Sequence, residues 1–386
     1  MMQTYLPQFA FLIGASFASL CGTLASAQAN PPKTTIAIAP LEKALTFARA
    51  QIDGALCVLA VRTYTNDSVE AIDLSKALGR EIGDPIELFN TEGYDALLKW
   101  IHDAPESAKV TVPAQSLGIP ADLASAHIAA GTNFAEHAEE SEVEDGPFLF
   151  AKLVAPTPAF GVVSAGEGLL DYEVELGFVT LRDTPLKDGP QAMGLILCND
   201  FTDRATLLRN ADPDNVTSGK GFTTGKSAPG FLPVGNLFVV PRDVHAFAAG
   251  LHLTLAVNGK QRQDAPMTLA IWDIDELFRQ SLARESVVWD YRGVEARLPI
   301  SAGAVPARTI ILAGTPAGTI FSGIPARAML GGVTSWVFGG WDKPVASRVV
   351  ESYIARAANG KMFLQPGDHV SIKVETMGVI ETSVTQ

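Results

Sequence analysis

Two glutamates inside an apolar strand pattern constrain this chain more than any other feature of its sequence. The run from Tyr172 to Leu181 alternates and is rich in Val, Phe and Thr, which predicts a β-strand. Because side chains two apart on a strand share a face, Glu173 and Glu175 are expected to point the same way. Two carboxylates on one face repel each other unless they bind a cation, share a proton or face water.

A second apolar run brings a third carboxylate. Met193 to Cys198 predicts another strand, and Asn199 and Asp200 follow it. Three hard oxygen ligands on a rigid frame suit Mg²⁺ or Mn²⁺, with Ca²⁺ as a further candidate, better than they suit Zn²⁺. The alternative is an acidic strand that faces solvent, an arrangement common in antiparallel sheets.

Composition and charge exclude several classes of protein. With 47% hydrophobic residues among 386, the chain is expected to be globular rather than disordered. Its net charge of −13 argues against binding to nucleic acid or to an anionic membrane surface. Beyond the N-terminal segment the chain has two cysteines, Cys57 and Cys198, both in apolar runs, so buried free thiols are expected rather than a disulfide.

The first 29 residues have the pattern of a signal peptide. An apolar core from Phe9 to Leu20 precedes two Ala-x-Ala sites, Ala25 to Ala27 and Ala27 to Ala29. The core is shorter than the roughly 20 residues that a membrane span needs, although an uncleaved anchor is the alternative. We therefore predict cleavage after residue 27 or 29 and a mature protein that is periplasmic or secreted.

The mature chain divides, by pattern, into two regions. Residues 30–112 are predicted to form a small N-terminal α/β domain, with strands at 54–61 and 68–72 and a helix at 94–101. Pro113, together with the glycine and proline that follow it, marks the boundary with a catalytic region that is predicted to span residues 113–386.

A histidine and a glutamate precede the acidic strand. If their segment forms a helical turn, His137 and Glu140 lie one turn apart on one face. A carboxylate beside an imidazole raises its basicity and fixes its tautomer, as general-base catalysis requires. The alternative is an ordinary surface pair, which the acidic neighbours Glu136 and Glu139 favour.

Further short motifs complete a set of eight. The set comprises Asn133-Phe134 with His137 and Glu140, Phe150 with Lys152, Asp171 to Leu176, Asn199-Asp200 with Arg204, Gly225-Lys226, Val257-Asn258-Gly259, Gly314 to Gly318, and Pro366-Gly367-Asp368 with Val370. In this order they resemble the fumarylacetoacetate hydrolase family, over roughly residues 113–382. The resemblance implies a strand-rich α+β fold, a mixed β-sandwich roll, and a homodimer.

The resemblance also implies roles for individual residues. By it, Glu173, Glu175 and Asp200 are similar to Mg²⁺ or Mn²⁺ ligands, and His137 with Glu140 to a dyad that activates water. The remaining positions resemble groups that hold or polarise the substrate: Lys226, which would also stabilise an oxyanion, Lys152, Arg204 and Thr315.

Several positions depart from the family pattern. Ala205 stands where the family often has Asp, and Ser227 to Pro229 replaces a frequent Ser-Phe-Asp. A long insertion of about 45 residues, 319–363, with little periodicity, replaces a short connection. These departures leave the acidic motif intact. They affect what the resemblance implies about the substrate and about the segment that covers the site, the lid.

The chemistry that these residues provide fits cleavage of a carbon–carbon bond in a 2,4-dioxo acid, such as an acylpyruvate or a compound like fumarylacetoacetate. A metal would act as a Lewis acid, His137 would take a proton from water, and a lysine would stabilise the oxyanion. The alternatives are a hydratase, dehydratase, decarboxylase or isomerase of a 2-oxo acid. An exported ligand-binding protein without catalysis is an alternative of another class.

Overall fold

The computed structural model describes residues 35–143, 145–190, 192–337, 342 and 344–386. The predicted signal peptide lies outside the described residues. Residues 34–386 form one compact unit. Within the described ranges, no helix is long and apolar enough to cross a lipid bilayer.

The described residues contain 22 strands and ten α-helices. The strands are β1 (Thr35–Ile36), β2 (Ala44–Ile52), β3 (Ala55–Thr65), β4 (Ser68–Asp73), β5 (Lys109–Pro113), β6 (His127–Gly131), β7 (Phe148–Lys152), β8 (Phe160–Ser164), β9 (Leu170–Asp171), β10 (Val174–Thr180), β11 (Thr184–Pro185), β12 (Met193–Asn199), β13 (Thr202–Asp203), β14 (Phe238–Pro241), β15 (His252–Val257), β16 (Lys260–Pro266), β17 (Trp289–Tyr291), β18 (Val294–Ala296), β19 (Ala304–Val305), β20 (Ile310–Leu312), β21 (His369–Val374) and β22 (Gly378–Thr385). The helices are α1 (Leu74–Leu78), α2 (Pro85–Glu92), α3 (Tyr94–His102), α4 (Ala135–Glu140), α5 (Arg204–Asn210), α6 (Phe222–Lys226), α7 (Val244–Ala249), α8 (Ile274–Ala283), α9 (Ala326–Val337) and α10 (Val345–Asn359).

An 11-stranded sheet occupies the centre of the molecule. Its order is β5-β4-β3-β2-β14-β12-β10-β20-β6-β7, with β1 paired to β3. Every pair is antiparallel except β20 with β6, which is parallel. All residues of β10 and β12 are buried, because both faces of these central strands are covered. Alternate side chains of β10 enter two different apolar clusters, Leu176 and Phe178 on one face and Val179 on the other.

A second sheet of five strands has the order β16-β15-β21-β22-β8. The tight hairpin between β15 and β16 turns at Asn258 and Gly259, whose φ angles of 51° and 75° are those of a type I′ turn. β21 and β22 pair antiparallel beside β15 in this sheet. The strand-rich α+β architecture is therefore confirmed.

The N-terminal strands belong to the same sheet as the acidic strand. The elements predicted near residues 54–61, 68–72 and 94–101 are present as β3, β4 and α3. β2 pairs with β14, with Phe47 opposite Phe238, so the main sheet continues across the predicted boundary near residue 112. That boundary stays a prediction.

The insertion at 319–363 contains two helices, α9 and α10, that the sequence analysis did not predict. They pack so closely that a Cβ atom on Gly332 would lie 2.4 Å from the Cα atom of Val349. Both ends of the insertion are fixed to β9. The N–H of Ile320 donates to the Asp171 carboxylate over 2.9 Å, and the N–H of Leu364 donates to the Leu170 carbonyl over 3.1 Å.

The two cysteines of the described region, Cys57 and Cys198, are buried and free, as expected.

Candidate active site

Three carboxylates converge where β10 begins and β12 ends. Antiparallel pairing sets Val174 opposite Asn199, which brings Glu173 beside Asp200. One oxygen each of Glu173, Glu175 and Asp200 lie within 4.8 Å of one another, and all three residues are buried. The predicted convergence is confirmed, and the solvent-facing alternative is wrong.

Glu175 is the least satisfied carboxylate of this acidic triad. Its Oε2 accepts the N–H of Gly314 over 2.8 Å, whereas its buried Oε1 has no hydrogen-bond partner among the described residues. Burial, followed by the charges of Asp200 and Glu173, raises the pKa of Glu175 well above its usual range. Because leaving a buried oxygen unpaired is costly, this donor set fits a divalent cation bound by oxygen ligands.

Two buried lysines contact the triad. The Nζ of Lys226 donates to Glu173 over 2.7 Å and to Asp200 over 2.9 Å. The Nζ of Lys152 donates to Asp200 and to the carbonyl of Lys226. Burial lowers the pKa of Lys152 despite the charge of Asp200. Burial also acts on Lys226, but Asp200 and Glu173 outweigh it and raise the pKa of that ammonium.

An arginine links the triad to a fourth carboxylate. Asp203 caps α5 and so places Arg204 at its first position. Arg204 donates from Nη2 to Glu173 over 2.6 Å and from Nε to Asp171 over 2.9 Å. Burial by itself would raise the pKa of Glu173, but the positive charges of Lys226 and Arg204 outweigh this effect and lower the pKa to about 2. Sequence reasoning included Asp171 in the family motif without giving it a role.

His137 and Glu140 form the predicted pair on α4. His137 Nδ1 lies 3.2 Å from Glu140 Oε2, and His137 is buried. Glu140 also accepts the N–H of Gly318 over 3.1 Å. A proton on Nδ1 that is directed at Glu140 leaves Nε2 as the basic nitrogen of the imidazole.

The loop from Gly314 to Gly318 connects the triad with this pair. The N–H of Gly314 donates to Glu175 and the N–H of Gly318 donates to Glu140. Both backbone N–H groups are therefore hydrogen-bonded to carboxylates of the chain itself. Gly318 has φ of +105°, and a Cβ atom there would lie 2.0 Å from the carbonyl oxygen of Arg262, so only glycine fits.

Thr315, between these glycines, is held from two sides. Its hydroxyl donates to the carbonyl of Val174 over 2.9 Å and accepts from Gln263 Nε2 over 2.8 Å. Sequence reasoning missed Gln263, because no local pattern in the β16 segment distinguishes a glutamine that reaches a loop 52 residues away.

A cavity of about 890 Å³ adjoins these groups. Five of the predicted site residues line it, namely His137, Glu173, Arg204, Lys226 and Thr315. The other four, Lys152, Glu140, Glu175 and Asp200, are not among the lining residues. Lys152, predicted to hold the substrate, is fully buried and contacts Asp200 instead.

Buried carboxylates, paired cations and a histidine–glutamate pair around one cavity define the class of protein: the arrangement is that of an enzyme site with a place for a divalent cation. The sequence profile described as "Fumarylacetoacetate (FAA) hydrolase C-terminal" matches residues 126–385. The chain belongs to the fumarylacetoacetate hydrolase family, a family of enzymes.

Solved structures share the fold. A fumarylacetoacetate hydrolase from Exiguobacterium antarcticum aligns with TM-score 0.54 and 19% identity over 88% of this chain and 99% of its own. A 5-carboxymethyl-2-hydroxymuconate delta-isomerase from Mycobacterium smegmatis aligns with TM-score 0.51 and 18% identity, over 88% of this chain and 99% of its own. A 2-hydroxyhepta-2,4-diene-1,7-dioate isomerase from Mycobacterium marinum gives 0.51 and 17% over 88% and 98%. No curated protein matches the sequence.

Proposed function

We propose that this protein is a divalent-metal-dependent hydrolase that cleaves a carbon–carbon bond in a 2,4-dioxo acid of the acylpyruvate or fumarylacetoacetate kind. One observation carries the proposal: His137 and Glu173 line the same cavity, so a group that can activate water and a carboxylate of the acidic triad both border the space that a substrate would fill.

Glu173, Glu175 and Asp200 would hold the cation. Because all three offer oxygen ligands, the cation would be Mg²⁺ or Mn²⁺, with Ca²⁺ as a further candidate. When bound, the cation supplies a Lewis acid that polarises the oxygens of the 2-oxo acid. The unpaired Oε1 of Glu175 supports this assignment.

The remaining chemistry belongs to the chain's own residues. His137, oriented by Glu140, takes a proton from water, and the resulting hydroxide attacks the carbonyl at position 4. Lys226 lies at the cavity wall, where its ammonium can stabilise the developing oxyanion. Arg204 and Thr315 position the substrate from the same wall, and Lys152 positions Lys226 through its carbonyl. The bond between carbons 3 and 4 then breaks, and carbon 3 takes up the proton that His137 removed from water. The products are a carboxylic acid, which carries the oxygen of that water, and a 2-oxo acid.

The alternatives use the same site differently. Similar structures are named both as a hydrolase and as isomerases. A decarboxylase requires chiefly an electron sink at the cation, whereas the His137–Glu140 pair supplies a water activator that neither a decarboxylase nor a ligand-binding protein requires.

The test is turnover of an acylpyruvate in ¹⁸O-water with Mg²⁺ or Mn²⁺. We expect label in the released carboxylic acid, loss of activity in EDTA, and recovery when metal is restored. Loss of CO₂ from oxaloacetate with acylpyruvates untouched would replace the hydrolase by a decarboxylase. Loss of water from a hydroxylated sugar acid would replace it by a dehydratase, and isomerisation without cleavage by an isomerase.

We further propose that the protein is exported and acts as a homodimer on a small-molecule substrate, without nucleic acid or membrane partners. The Ala-x-Ala sites and the family resemblance support these points. Mass spectrometry of the protein from its own cell is expected to give an N-terminus at Gln28 or Asn30, and an intact Met1 or Met2 would refute export. Light scattering is expected to give twice the chain mass.

A further inference from the structure

The lining of the cavity has two chemically different parts. His137, Glu173 and Lys226 form the polar part, where the proposed function puts the 2-oxo acid head group. The α9–α10 hairpin, which we define as residues 326–337 and 345–359, contributes to the other part. We propose that this hairpin selects substrates whose acyl group is an uncharged hydrocarbon chain or ring; the inference rests on the proposed function for the head group alone.

The hairpin contributes an apolar wall. Met329 and Val333 of α9, with Val349 and Val350 of α10, line the cavity. Leu207 and Leu208 of α5 and Phe222 of α6 also line it. An acyl chain between these side chains would be removed from water, which favours binding in proportion to the buried apolar area.

The charges on the wall disfavour a second carboxylate on the substrate. Lys226 and Arg204 are paired with the triad, and Arg209 forms two hydrogen bonds of 2.8 and 2.9 Å with Glu351. Among the described lining residues, every lysine and arginine therefore already contacts a carboxylate. Glu142 adds a further negative charge to the lining.

Side-chain contacts connect the apolar wall with the polar part of the cavity. The guanidinium of Arg204 lies 5.4 Å from the ring centre of Phe321, and that ring meets Tyr353 of α10 edge-on at 5.9 Å. Because Arg204 also binds Glu173, a continuous set of contacts joins α10 to the acidic triad.

Binding of simple 2-oxoalkanoates tests the inference without relying on turnover, because these acids lack the carbonyl at position 4 that the proposed hydrolysis requires. Calorimetry with Mg²⁺ would compare pyruvate with acids of increasing length up to 2-oxooctanoate. We expect each added methylene to tighten binding by up to roughly fourfold, the effect of burying one CH₂ group. We expect 2-oxooctanoate to bind at least about fivefold more tightly than the 2-oxo dicarboxylic acid of equal length, since one unpaired polar group costs at least about 1 kcal/mol.

A pair of variants on one helix assigns the effect to the hairpin. Val333→Asp places a charge on the cavity wall and is expected to abolish the dependence on chain length while leaving pyruvate binding unchanged. Leu330→Asp is the matched control, because Leu330 is 65% exposed and does not line the cavity. Circular dichroism of both variants checks that α9 is retained.

The outcomes separate the two proposals. Binding that does not depend on chain length, or equal effects of the two variants, would overturn the selection by the hairpin while leaving the hydrolase in place. Failure of every 2-oxo acid to bind, pyruvate included, would overturn the proposed function and this inference together.

Discussion

At the scale of single residues, Glu175 is expected to affect stability differently with and without a bound cation, because its buried Oε1 has no hydrogen-bond partner among the described residues. A carboxylate whose pKa is raised in the folded state stabilises the fold at low pH, and this contribution is lost as the pH rises from the ordinary glutamate value through the raised one. A bound cation reverses the balance, because it compensates the charge that burial and the neighbouring carboxylates disfavour.

Replacing Glu175 by Gln is therefore expected to have two opposite effects. The metal-free variant loses a disfavoured buried charge, so its melting temperature in EDTA at pH 8 should rise by roughly 2 °C, with a weaker dependence on pH. Its affinity for Mn²⁺, measured by calorimetry, should fall at least tenfold. Glu142→Gln, on the cavity wall outside the triad, is the control, and unchanged Mn²⁺ affinity in Glu175→Gln would contradict the assignment.

His137 carries the second prediction at this scale. His137→Ala removes the proposed general base and is expected to lower kcat by roughly 10²–10⁴, while Mn²⁺ affinity stays nearly constant. His245→Ala serves as the control, because His245 is exposed and pairs with Asp275 outside the cavity. A parallel loss of metal binding in His137→Ala would show that His137 is a ligand or a structural residue.

Local periodicity was sufficient to predict the residues whose partners lie nearby in sequence or in register. The two-residue spacing on a strand predicted that Glu173 and Glu175 share a face. The three-residue spacing on a helix predicted that His137 lies beside Glu140. The pairing of Lys152 and Lys226 with the triad could not be predicted, because it joins residues 26 to 53 positions apart that only the folded sheet brings together.

At the scale of elements, the α9–α10 hairpin shows why propensity alone fails. Gly331 and Gly332 lie inside α9, and glycine costs about 1 kcal/mol relative to alanine within a helix. Gly332 is nevertheless needed, because the backbone of Val349 passes too close for any side chain. The helix is therefore specified by its contact with α10, which the sequence of α9 alone does not reveal.

Gly332→Ala is expected to destabilise the hairpin by about 1–3 kcal/mol, because its Cβ atom would meet backbone that cannot move easily. Gly331→Ala is the matched control, since its Cβ atom would meet only the Ser352 hydroxyl, a side chain that can rotate. Amide hydrogen exchange of residues 326–337 and 345–359 should accelerate in the first variant and stay near the wild-type rate in the second. Equal exchange in both would contradict the close approach.

At the scale of the whole molecule, sequence patterns predicted the strand-rich class but not how far the main sheet extends. The N-terminal strands were predicted to form a separate domain because nothing in their sequence indicates which strand they pair with. Pairing of β2 with β14 joins them to β12 and β10, the strands that carry the acidic triad. Long-range strand pairing of this kind depends on edges that only the assembled sheet exposes.

A chain truncated to residues 113–386 is accordingly expected to aggregate, because removing β2 leaves the buried apolar strand β14 as an open edge. A chain that begins at residue 35 and retains β2 is the control and should remain soluble. Size-exclusion chromatography distinguishes the two. A soluble fragment from residue 113 that still binds Mn²⁺ would instead show that the catalytic region folds without the N-terminal region, as the predicted boundary requires.

The anchoring of the insertion at Leu170 and Asp171 has a consequence for how this scaffold can diversify. Ile320 and Leu364 are hydrogen-bonded to two adjacent residues of β9, so the segment between them could be exchanged as a unit while the strands that hold the carboxylates are kept. Under the proposed selection by the hairpin, grafting other helical hairpins between residues 321 and 364 is expected to change which acyl groups the protein accepts, while the sequence of the acidic triad stays the same. Substrate preference could then vary, in evolution or by design, in a segment separate from the carboxylates.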